Sequence, residues 1–385
     1  MTLAFSESEF VARLDRVRDA LAHAELDALV VTAPENICYL SGFWTPGYHV
    51  FQALVVRRSG DPFLVIRNIE VDSVRTKSWM QRYYPVNNLD LALETFIEAL
   101  KAEGLVSGRV GLEVDGARQS MLRTDRFGEA LGSIRWVPTL DIVDRFRAVK
   151  SESEIAYIRK AVGMAEQALV AGARAIGSSR TDSEVAAAVH AELARAGSEF
   201  TGSPPYVVAG PASALTHSLH AGRLLEPDQP VWLEVSASVM RYQGVASRVG
   251  GTDSLPARVR ELSDVSAAAL SAMVGAMRPG VSAGEVDAAG RAVAEKAGVR
   301  DLWKNRAAYS LGLSFPPGLG EGHIIDIKPG DARLLEAGMV FHMIPILKAP
   351  GLASVACTDT VLVTPDGGER LGKLDLLPLT PGSMA

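Results

Sequence analysis

The sequence predicts a two-domain protein of mixed α/β (α+β) fold. Strand-like and helical segments alternate through the first third of the chain, which is typical of an α/β domain. Beyond that point, a pair of long helices followed by strand-like runs occurs twice, which indicates two similar halves. A length of 385 residues is also typical of about two domains. We place the boundary at about Val149, which gives domains 1–149 and 150–385.

Apolar spacing and β-propensity predict the elements of the first domain. Phe10, Leu14, Val17 and Leu21 recur at steps of three and four residues, which predicts an amphipathic helix. Between the first two strands, Pro34 and Asn36 predict a turn before a loop rich in aromatic residues. The predicted elements are helices over Ser6–Ala24 and Asp90–Ala102, and strands over Leu26–Val31, Ala53–Arg57, Phe63–Arg67 and Arg109–Glu113.

Helix-start signals organise the second domain. Ser151 precedes Glu154 by three residues, and Thr181 precedes Glu184 in the same way, so each pair predicts a capping box. Glycine or proline follows the later pair of helices. The predicted helices are Glu152–Ala175, Thr181–Ala196, Arg258–Met277 and Ala283–Ala297.

The stretch Pro230–Arg248 lies at the centre of the second domain. Apolar residues alternate with Trp232 and Glu234, which predicts a strand, and the run Val239–Val245 predicts its return. A further hairpin is predicted with its turn at Pro365–Gly368. On alternation alone, Glu234 is as well explained as an incidental carboxylate in a sheet core.

Composition excludes several classes of function. The chain is 48% hydrophobic and 22% charged, with a net charge of −6, so we expect no nucleic-acid and no membrane partner. Cys38 and Cys357 are too few for a disulfide framework, and we expect buried free thiols. The N-terminus lacks a signal-peptide pattern, and no apolar run approaches the ~20 residues of a membrane span. We therefore expect a cytoplasmic protein.

Two motifs resemble the creatinase/prolidase family of pita-bread proteins. Asn36–Gly42 is similar to the family's N-(I/M)-x-Y-L-(S/T)-G. The boundary signature R-x-x-K-(S/D)-x-x-E-(I/L)-x-x-(I/L)-R is matched by Arg147, Lys150, Glu154 and Arg159. The resemblance implies a creatinase-like N-terminal α/β domain followed by a pita-bread domain, and it implies homodimers.

In this family two Asp, one His and two Glu side chains hold two metal ions. The corresponding positions here are Glu234, Val245, Tyr309, Ile344 and Thr358. Valine and isoleucine carry no donor atom, so a dinuclear site is excluded at these positions. We expect no metal and no other cofactor.

The resemblance also supplies three candidate catalytic residues. His217 ends the segment GPASALTH, where the family has a histidine that transfers protons in the metal-free branch. Imidazole suits that task because its unperturbed pKa lies near neutrality, although a lone histidine is often structural and His220 is a nearby competitor. Glu234 and Tyr309 would face the emptied metal cavity, either as catalytic partners of His217 or as a hydrogen-bonded pair that fills space.

Further residues are candidate substrate contacts. Glu321 and His323 lie in the loop Ser314–His323, and His342 and Thr358 lie near the former metal positions. Arg248 either clamps a substrate carboxylate or is structural. In the first domain, Phe43, Trp44, Tyr48 and His49 either form an aromatic wall for a cationic group or belong to the core.

The segment Tyr309–Glu321 resembles the pattern of ectoine hydrolase, with Leu319 in place of a tryptophan. Creatine is disfavoured because the two glutamates that bind it in creatinase fall near Ser247 and Cys357, and an unpaired buried charge is costly. We therefore predict a metal-independent hydrolase that opens a C–N bond of a small polar or zwitterionic compound. A lyase or cyclase and a ligand-binding pseudoenzyme remain alternatives, and a metal-dependent Xaa-Pro peptidase is disfavoured.

Overall fold

The computed structural model describes residues 3–114, 131–177, 180–215, 217–252 and 254–384. The chain divides into two compact units, Met1–Arg147 and Ala148–Ala385. Cys38 and Cys357 are buried and form no disulfide, which confirms the prediction for the cysteines. No described helix combines the length and apolar character that crossing a membrane requires.

The first unit contains a six-stranded mixed sheet of order β4-β3-β2-β1-β5-β6. Strand β1 pairs antiparallel with β2 and parallel with β5. The strands are β1 (Ala28–Val31), β2 (Ala53–Arg57), β3 (Phe63–Arg67), β4 (Tyr83–Val86), β5 (Gly108–Glu113) and β6 (Ile134–Thr139). The accompanying helices are α1 (Glu7–His23), α2 (Pro34–Ser41), α3 (Val71–Lys77) and α4 (Ala92–Ala102), and α5 (Asp144–Ala148) spans the boundary of the units.

The turn predicted at Pro34 and Asn36 is wrong, because these residues belong to α2. Pro34 occupies the first helical turn, where proline needs no hydrogen-bond donor and its φ suits a helix. The helix ends at Gly42, whose φ of 75° is the left-handed C-terminal cap. The sequence also gave no signal for β4, β6 or α3.

The second unit repeats a helix pair and a sheet, which confirms the predicted fold class. Its first half contains α6 (Glu152–Ala175) and α7 (Asp182–Ala196), and both predicted capping boxes are present. These helices pack on a three-stranded antiparallel sheet. The strands are β7 (Tyr206–Ala209), β8 (Val231–Val239) and β9 (Tyr242–Gly250).

The second half contains α8 (Ala257–Ala276) and α9 (Ala283–Lys296). Its antiparallel sheet has the order β11-β10-β12-β15-β16, and β13 and β14 form a separate pair. The strands are β10 (Ala308–Ser310), β11 (Asp326–Ile327), β12 (Val340–Met343), β13 (Leu347–Ala349), β14 (Ala353–Val355), β15 (Asp359–Thr364) and β16 (Gly367–Arg370). The hairpin predicted at Pro365–Gly368 is the turn between β15 and β16.

A tight turn between β8 and β9 fixes the register of the central hairpin. Met240 and Arg241 have φ values of 50° and 69°, as in the turns that join closely twisted antiparallel strands. The buried Arg241 guanidinium donates to the carbonyl groups of Phe200 and Ser314, which holds this conformation. The return strand therefore begins at Tyr242, and the predicted start at Val239 is wrong.

The central hairpin also connects the two halves of the second unit. The backbone N–H of Ser247 donates to the carbonyl of Thr358 at 3.2 Å, and the N–H of Thr358 donates to Ser247 at 3.1 Å. This bridge aligns β9 with the segment that enters β15. This bridge therefore connects the sheet that carries Glu234 to the sheet that carries Tyr309.

Candidate functional site

A cavity of about 410 Å³ lies in the second unit. Strands β7, β8 and β10 and several loops contribute to its wall. The side chains and glycines that line it are Ser203, Tyr206, Val208, Ser213, Leu215, His217, Ser218, Trp232, Glu234, Asn305, Arg306, Tyr309, Pro317, Gly318, Leu319, Gly320, Ile344, Ile346, Lys348 and Ser354. The three candidate catalytic residues thus share one cavity.

Glu234 supplies the carboxylate of this cavity. It lies directly opposite Tyr206 on β7 and opposite Ser247 on β9, so its side chain shares a sheet face with both. Among the described residues, its carboxylate has no hydrogen-bond or ion-pair partner. Burial raises the pKa of Glu234 to about 7. A carboxyl group with such a pKa can exchange a proton near neutral pH.

Tyr309 is held by a buried hydrogen-bond chain. Its hydroxyl lies 2.7 Å from Nδ1 of His342, which is its direct partner across β10 and β12. Nε2 of His342 lies 2.8 Å from Oγ1 of Thr358. His342 and Thr358 are fully buried, and Tyr309 is 8% exposed. The hydrogen bonds to His342 and Thr358 therefore hold the hydroxyl of Tyr309 in place, and Tyr309 itself lines the cavity.

The electrostatic setting keeps every member of this chain uncharged. Burial, with a smaller contribution from Arg306, lowers the pKa of His342 to about 3, so its imidazole is neutral. A neutral imidazole has one donor and one acceptor nitrogen. The hydrogen bonds therefore run in one direction, either from Tyr309 through His342 to Thr358 or from Thr358 through His342 to Tyr309. Burial, and secondly the charge of Glu234, raises the pKa of Tyr309 well above its usual value. Tyr309 is thus a phenol that donates or accepts a hydrogen bond.

The structure distinguishes the two neighbouring histidines. His217 lines the cavity with a φ of 60°, and its ring centroid lies 6.4 Å from that of Tyr206. His220 does not line it; its ring instead approaches His190, with 6.5 Å between centroids. Burial, and then the charge of His220, lowers the pKa of His190. Only His217 is therefore placed for contact with a molecule in the cavity.

Asp182 anchors the segment that follows His217. Its buried carboxylate accepts hydrogen bonds from the backbone N–H groups of Ala221 and Arg223, at 3.1 and 2.9 Å. The guanidinium of Arg223 adds an ion pair at 2.8 Å. This contact ties the loop to the start of α7, because Asp182 is the first residue of that helix.

Sequence analysis missed two cationic residues of the cavity, Arg306 and Lys348. The Arg306 guanidinium lies 4.6 Å from the ring centroid of Tyr309 and forms a 2.8 Å ion pair with Asp326. Burial, and secondly Lys304, lowers the pKa of Lys348. Arg306 precedes β10, so no local pattern marks it, and Lys348 lies in the three-residue strand β13. Only the alternation of Lys348 with buried Leu347 and Ala349 pointed to a distinct face.

The structure places Arg248 outside the cavity lining and favours the structural alternative over the carboxylate clamp. The guanidinium is buried and donates to the carbonyl groups of Ser247 and Thr358 at 2.8 Å and of Asp375 at 2.9 Å. Its remaining nitrogen pairs with Asp359 at 2.9 Å. Because its donors are used within the protein, Arg248 is structural.

Glu321 is likewise not a cavity residue. Its carboxylate is 1% exposed and pairs with Lys150 at 2.8 Å, and Ser310 donates to it as well. His323 is exposed and lies outside the lining. The loop Ser314–His323 instead contributes Pro317, Gly318, Leu319 and Gly320.

His342 and Thr358 are fully buried and do not line the cavity either, so their positions do not support direct contact with a substrate. They lie behind Tyr309, as described above, and reach the cavity only through its phenol.

The four aromatic and histidine candidates of the first unit lie near the end of α2. Phe43 is 1% exposed, and Lys77 places its ammonium 4.2 Å from the ring centroid of Trp44. The rings of Tyr48 and His49 pack edge to face at 6.1 Å. Burial of Phe43 favours its place in the core of this unit.

The positions that correspond to metal ligands do not form a donor set. Val245 is fully buried beside Thr360, and Ile344 lines the cavity. The hydroxyl groups of Tyr309 and Thr358 are bound to His342. Within the ranges that the structure describes, no three His, Cys, Asp or Glu side chains come together to hold a metal ion. These residues do not fit a dinuclear metal centre.

Comparison with known proteins gives consistent matches over the whole chain. Residues 156–365 match metallopeptidase family M24, and residues 13–149 match the creatinase/prolidase N-terminal domain. Hydrolase/peptidase y4tM of Sinorhizobium fredii is 28% identical over 384 residues, covering 96% of each chain. Ectoine hydrolase of Halomonas elongata is 26% identical over 398 residues, covering 96% of this chain and 97% of that protein.

Solved structures share the fold. Prolidase from Pyrococcus horikoshii aligns with a TM-score of 0.82 and 21% identity, over 94% of this chain and 99% of its own. Dipeptidase PepE from Mycobacterium ulcerans aligns with a TM-score of 0.82 and 23% identity, over 98% and 99%. This chain therefore belongs to metallopeptidase family M24, as a creatinase/prolidase-type pita-bread protein of the hydrolase and peptidase class.

Proposed function

We propose that this protein is a hydrolase that opens a C–N bond of a small polar or zwitterionic compound without a resident metal ion. One observation carries the proposal: His217, Glu234 and Tyr309 line the same cavity, while four of the five positions of the family's metal ligands, all except Glu234, are occupied by aliphatic or hydrogen-bonded side chains. Such a site retains acid–base groups but lacks donors for a metal pair.

The three residues have complementary tasks in this proposal. Glu234, with its pKa near neutrality, accepts a proton from the water that attacks the substrate carbon. His217 delivers a proton to the departing nitrogen, so that the C–N bond breaks as the C–O bond forms. Tyr309 donates a hydrogen bond to the charge that develops on the substrate, and the chain through His342 holds its phenol in place.

Similarity to ectoine hydrolase supports the substrate class. Ectoine is a cyclic amidine that carries a carboxylate, and its opening is the hydrolysis of a C–N bond. The cavity of about 410 Å³ is within the usual size of small-molecule sites. Opposite charges on its wall, from Glu234 and Arg306, suit a zwitterion.

Metal analysis and a turnover screen test the proposal together. The purified protein, before and after chelator dialysis, is assayed by mass spectrometry on ectoine, hydroxyectoine, creatine and Xaa-Pro dipeptides, with a metal-dependent prolidase as the chelator control. We expect turnover of one small zwitterion, unchanged by the chelator, and incorporation of oxygen from ¹⁸O-labelled water. Chelator-sensitive activity on dipeptides would restore a peptidase assignment, and a product without labelled oxygen would indicate a lyase or cyclase.

We also propose a homodimer, on the resemblance to creatinase and prolidase. Sedimentation equilibrium measures this directly, because a dimer of a 41.0 kDa chain has twice that mass. A monomer at micromolar concentration would contradict it.

A further inference from the structure

We propose that Arg306 binds the carboxylate of the substrate and makes the cavity selective for small carboxylates. This inference rests on the proposed function, because it names the recognition residue of the same site. Its test measures binding and requires neither the metal content nor the bond that is broken to be known.

The contacts of Arg306 leave one edge of its guanidinium available. Nη1 is held by Asp326 at 2.8 Å, and the face lies over the ring of Tyr309, 4.6 Å from its centroid. Among the described residues, Nε and Nη2 have no hydrogen-bond partner. The side chain is 41% exposed and lines the cavity. Two such nitrogens form the planar fork that binds a carboxylate through two hydrogen bonds.

The distribution of charge assigns the ligand to this fork. Glu234 and Arg306 line the same cavity but form no ion pair with each other, and Asp326, which pairs with Nη1 of Arg306, does not line it. Both act on Tyr309: Glu234 raises the pKa of its phenol and Arg306 lowers it. The ring of Tyr309, whose centroid lies 4.6 Å from the Arg306 guanidinium, lines the same cavity as Glu234 and Arg306. A molecule with a cationic or amidinium centre and a carboxylate complements this arrangement.

Lys348 adds a second cationic group to the lining. Its pKa is lowered by burial, which indicates that its ammonium is partly withdrawn from water. An anionic group in the cavity would offset that cost. Arg306, however, is the residue that offers a paired set of donors.

A binding experiment with matched ligands tests Arg306. Binding is measured in the His217→Ala protein, in which turnover should be slowed by about 10²- to 10⁴-fold. Calorimetry compares ectoine with its neutral primary amide, and glycyl-proline with glycyl-prolinamide. We expect at least one carboxylate to bind at least about 10-fold more tightly than its amide, a difference of about 1.4 kcal/mol. Adding Arg306→Gln should abolish this preference, and Arg306→Lys should retain part of it. Arg258→Gln is the control, because Arg258 pairs with Glu261 on the surface.

Either of two results would overturn the inference: a carboxylate preference that survives Arg306→Gln, or carboxylates that bind no better than their amides to the protein with Arg306. Turnover of the same compounds is measured with protein that retains His217, with and without Arg306→Gln. These assays separate a failure of this inference from a failure of the proposed function. Arg306-dependent carboxylate binding without any turnover would overturn the hydrolase and leave the recognition site in place. Turnover at an unchanged KM in Arg306→Gln would overturn the recognition site and leave the hydrolase in place.

Discussion

The phenol oxygen of Tyr309 and Nδ1 of His342 lie 2.7 Å apart, between residues that face each other on adjacent strands. Thr358 completes the chain on the far side of the imidazole. Two of the three residues occupy positions at which the family has metal ligands. A neutral hydrogen-bond chain thus fills part of the space that a charged donor set would occupy.

Thr358→Val should destabilise the protein and slow turnover. Valine has nearly the shape of threonine but leaves Nε2 of His342 without a partner, at a cost of about 1–3 kcal/mol. Thr358→Ser keeps the hydroxyl and is the matched control. Urea unfolding and initial rates measure the two effects. Equal stability of the valine and serine variants would contradict the chain as a stabilising element.

His217→Ala should lower kcat by about 10²- to 10⁴-fold, the usual contribution of a positioned acid–base group. The fold should survive, because the side chain is exposed and the described residues give it no hydrogen bond. His220→Ala is the matched control, since His220 lies outside the cavity lining. Circular dichroism verifies the fold of both variants. Equal loss of rate in the two would remove His217 from its proposed task.

Local sequence signals predicted the long helices of the second unit and only part of the site. The pairs Ser151–Glu154 and Thr181–Glu184 start α6 and α7 as predicted, because a capping box involves residues three apart. The pairing of Tyr309 with His342 joins residues 33 apart in the chain. A single sequence does not reveal which strands become neighbours or in what register.

The same reason applies to two candidate binding residues that the structure places outside the cavity lining. Glu321 and Arg248 resembled binding residues because both are charged and lie near motifs. Their partners, Lys150 and Asp359, are 171 and 111 residues away, so their structural roles were visible only in the folded chain. Arg306 was missed because its proposed role depends on two nitrogens, Nε and Nη2, to which the described neighbours make no hydrogen bond, and only the folded structure shows this.

Lys150→Met should destabilise the second unit strongly. It leaves the Glu321 carboxylate, which is 1% exposed, without its cation, and breaking a buried pair from one side costs about 3–5 kcal/mol. The double variant Lys150→Met/Glu321→Gln should recover much of this loss, because no unpaired buried charge remains. Urea unfolding of the wild type, both single variants and the double variant gives the coupling energy. Additive effects of the two substitutions would contradict the pair.

Glu234→Gln should change how stability depends on pH. The pKa of the Glu234 carboxyl rises from 4.5 to about 7 on folding, so the native state holds its proton more tightly than the unfolded state. Between these values the native protein binds more protons, and the free energy of unfolding falls as pH rises. This contribution is present below pH 4.5 and lost above pH 7. This contribution is at most about 3 kcal/mol, because a shift from 4.5 to about 7 corresponds to about 1.4 kcal/mol per pKa unit.

Glutamine carries no titrating group, so the variant should gain stability relative to the wild type as pH rises from 5 to 8. Urea unfolding at pH 5, 6, 7 and 8, followed by tryptophan fluorescence, measures that difference. Glu113 in the first unit also has its pKa raised by burial to about 7, but it is present in both proteins and cancels. Glu226→Gln, an exposed change in the second unit, is the control and should run parallel to the wild type. A Glu234→Gln curve that also ran parallel would show that this carboxyl is not held in its protonated form, and water activation by a base with a near-neutral pKa would then fail.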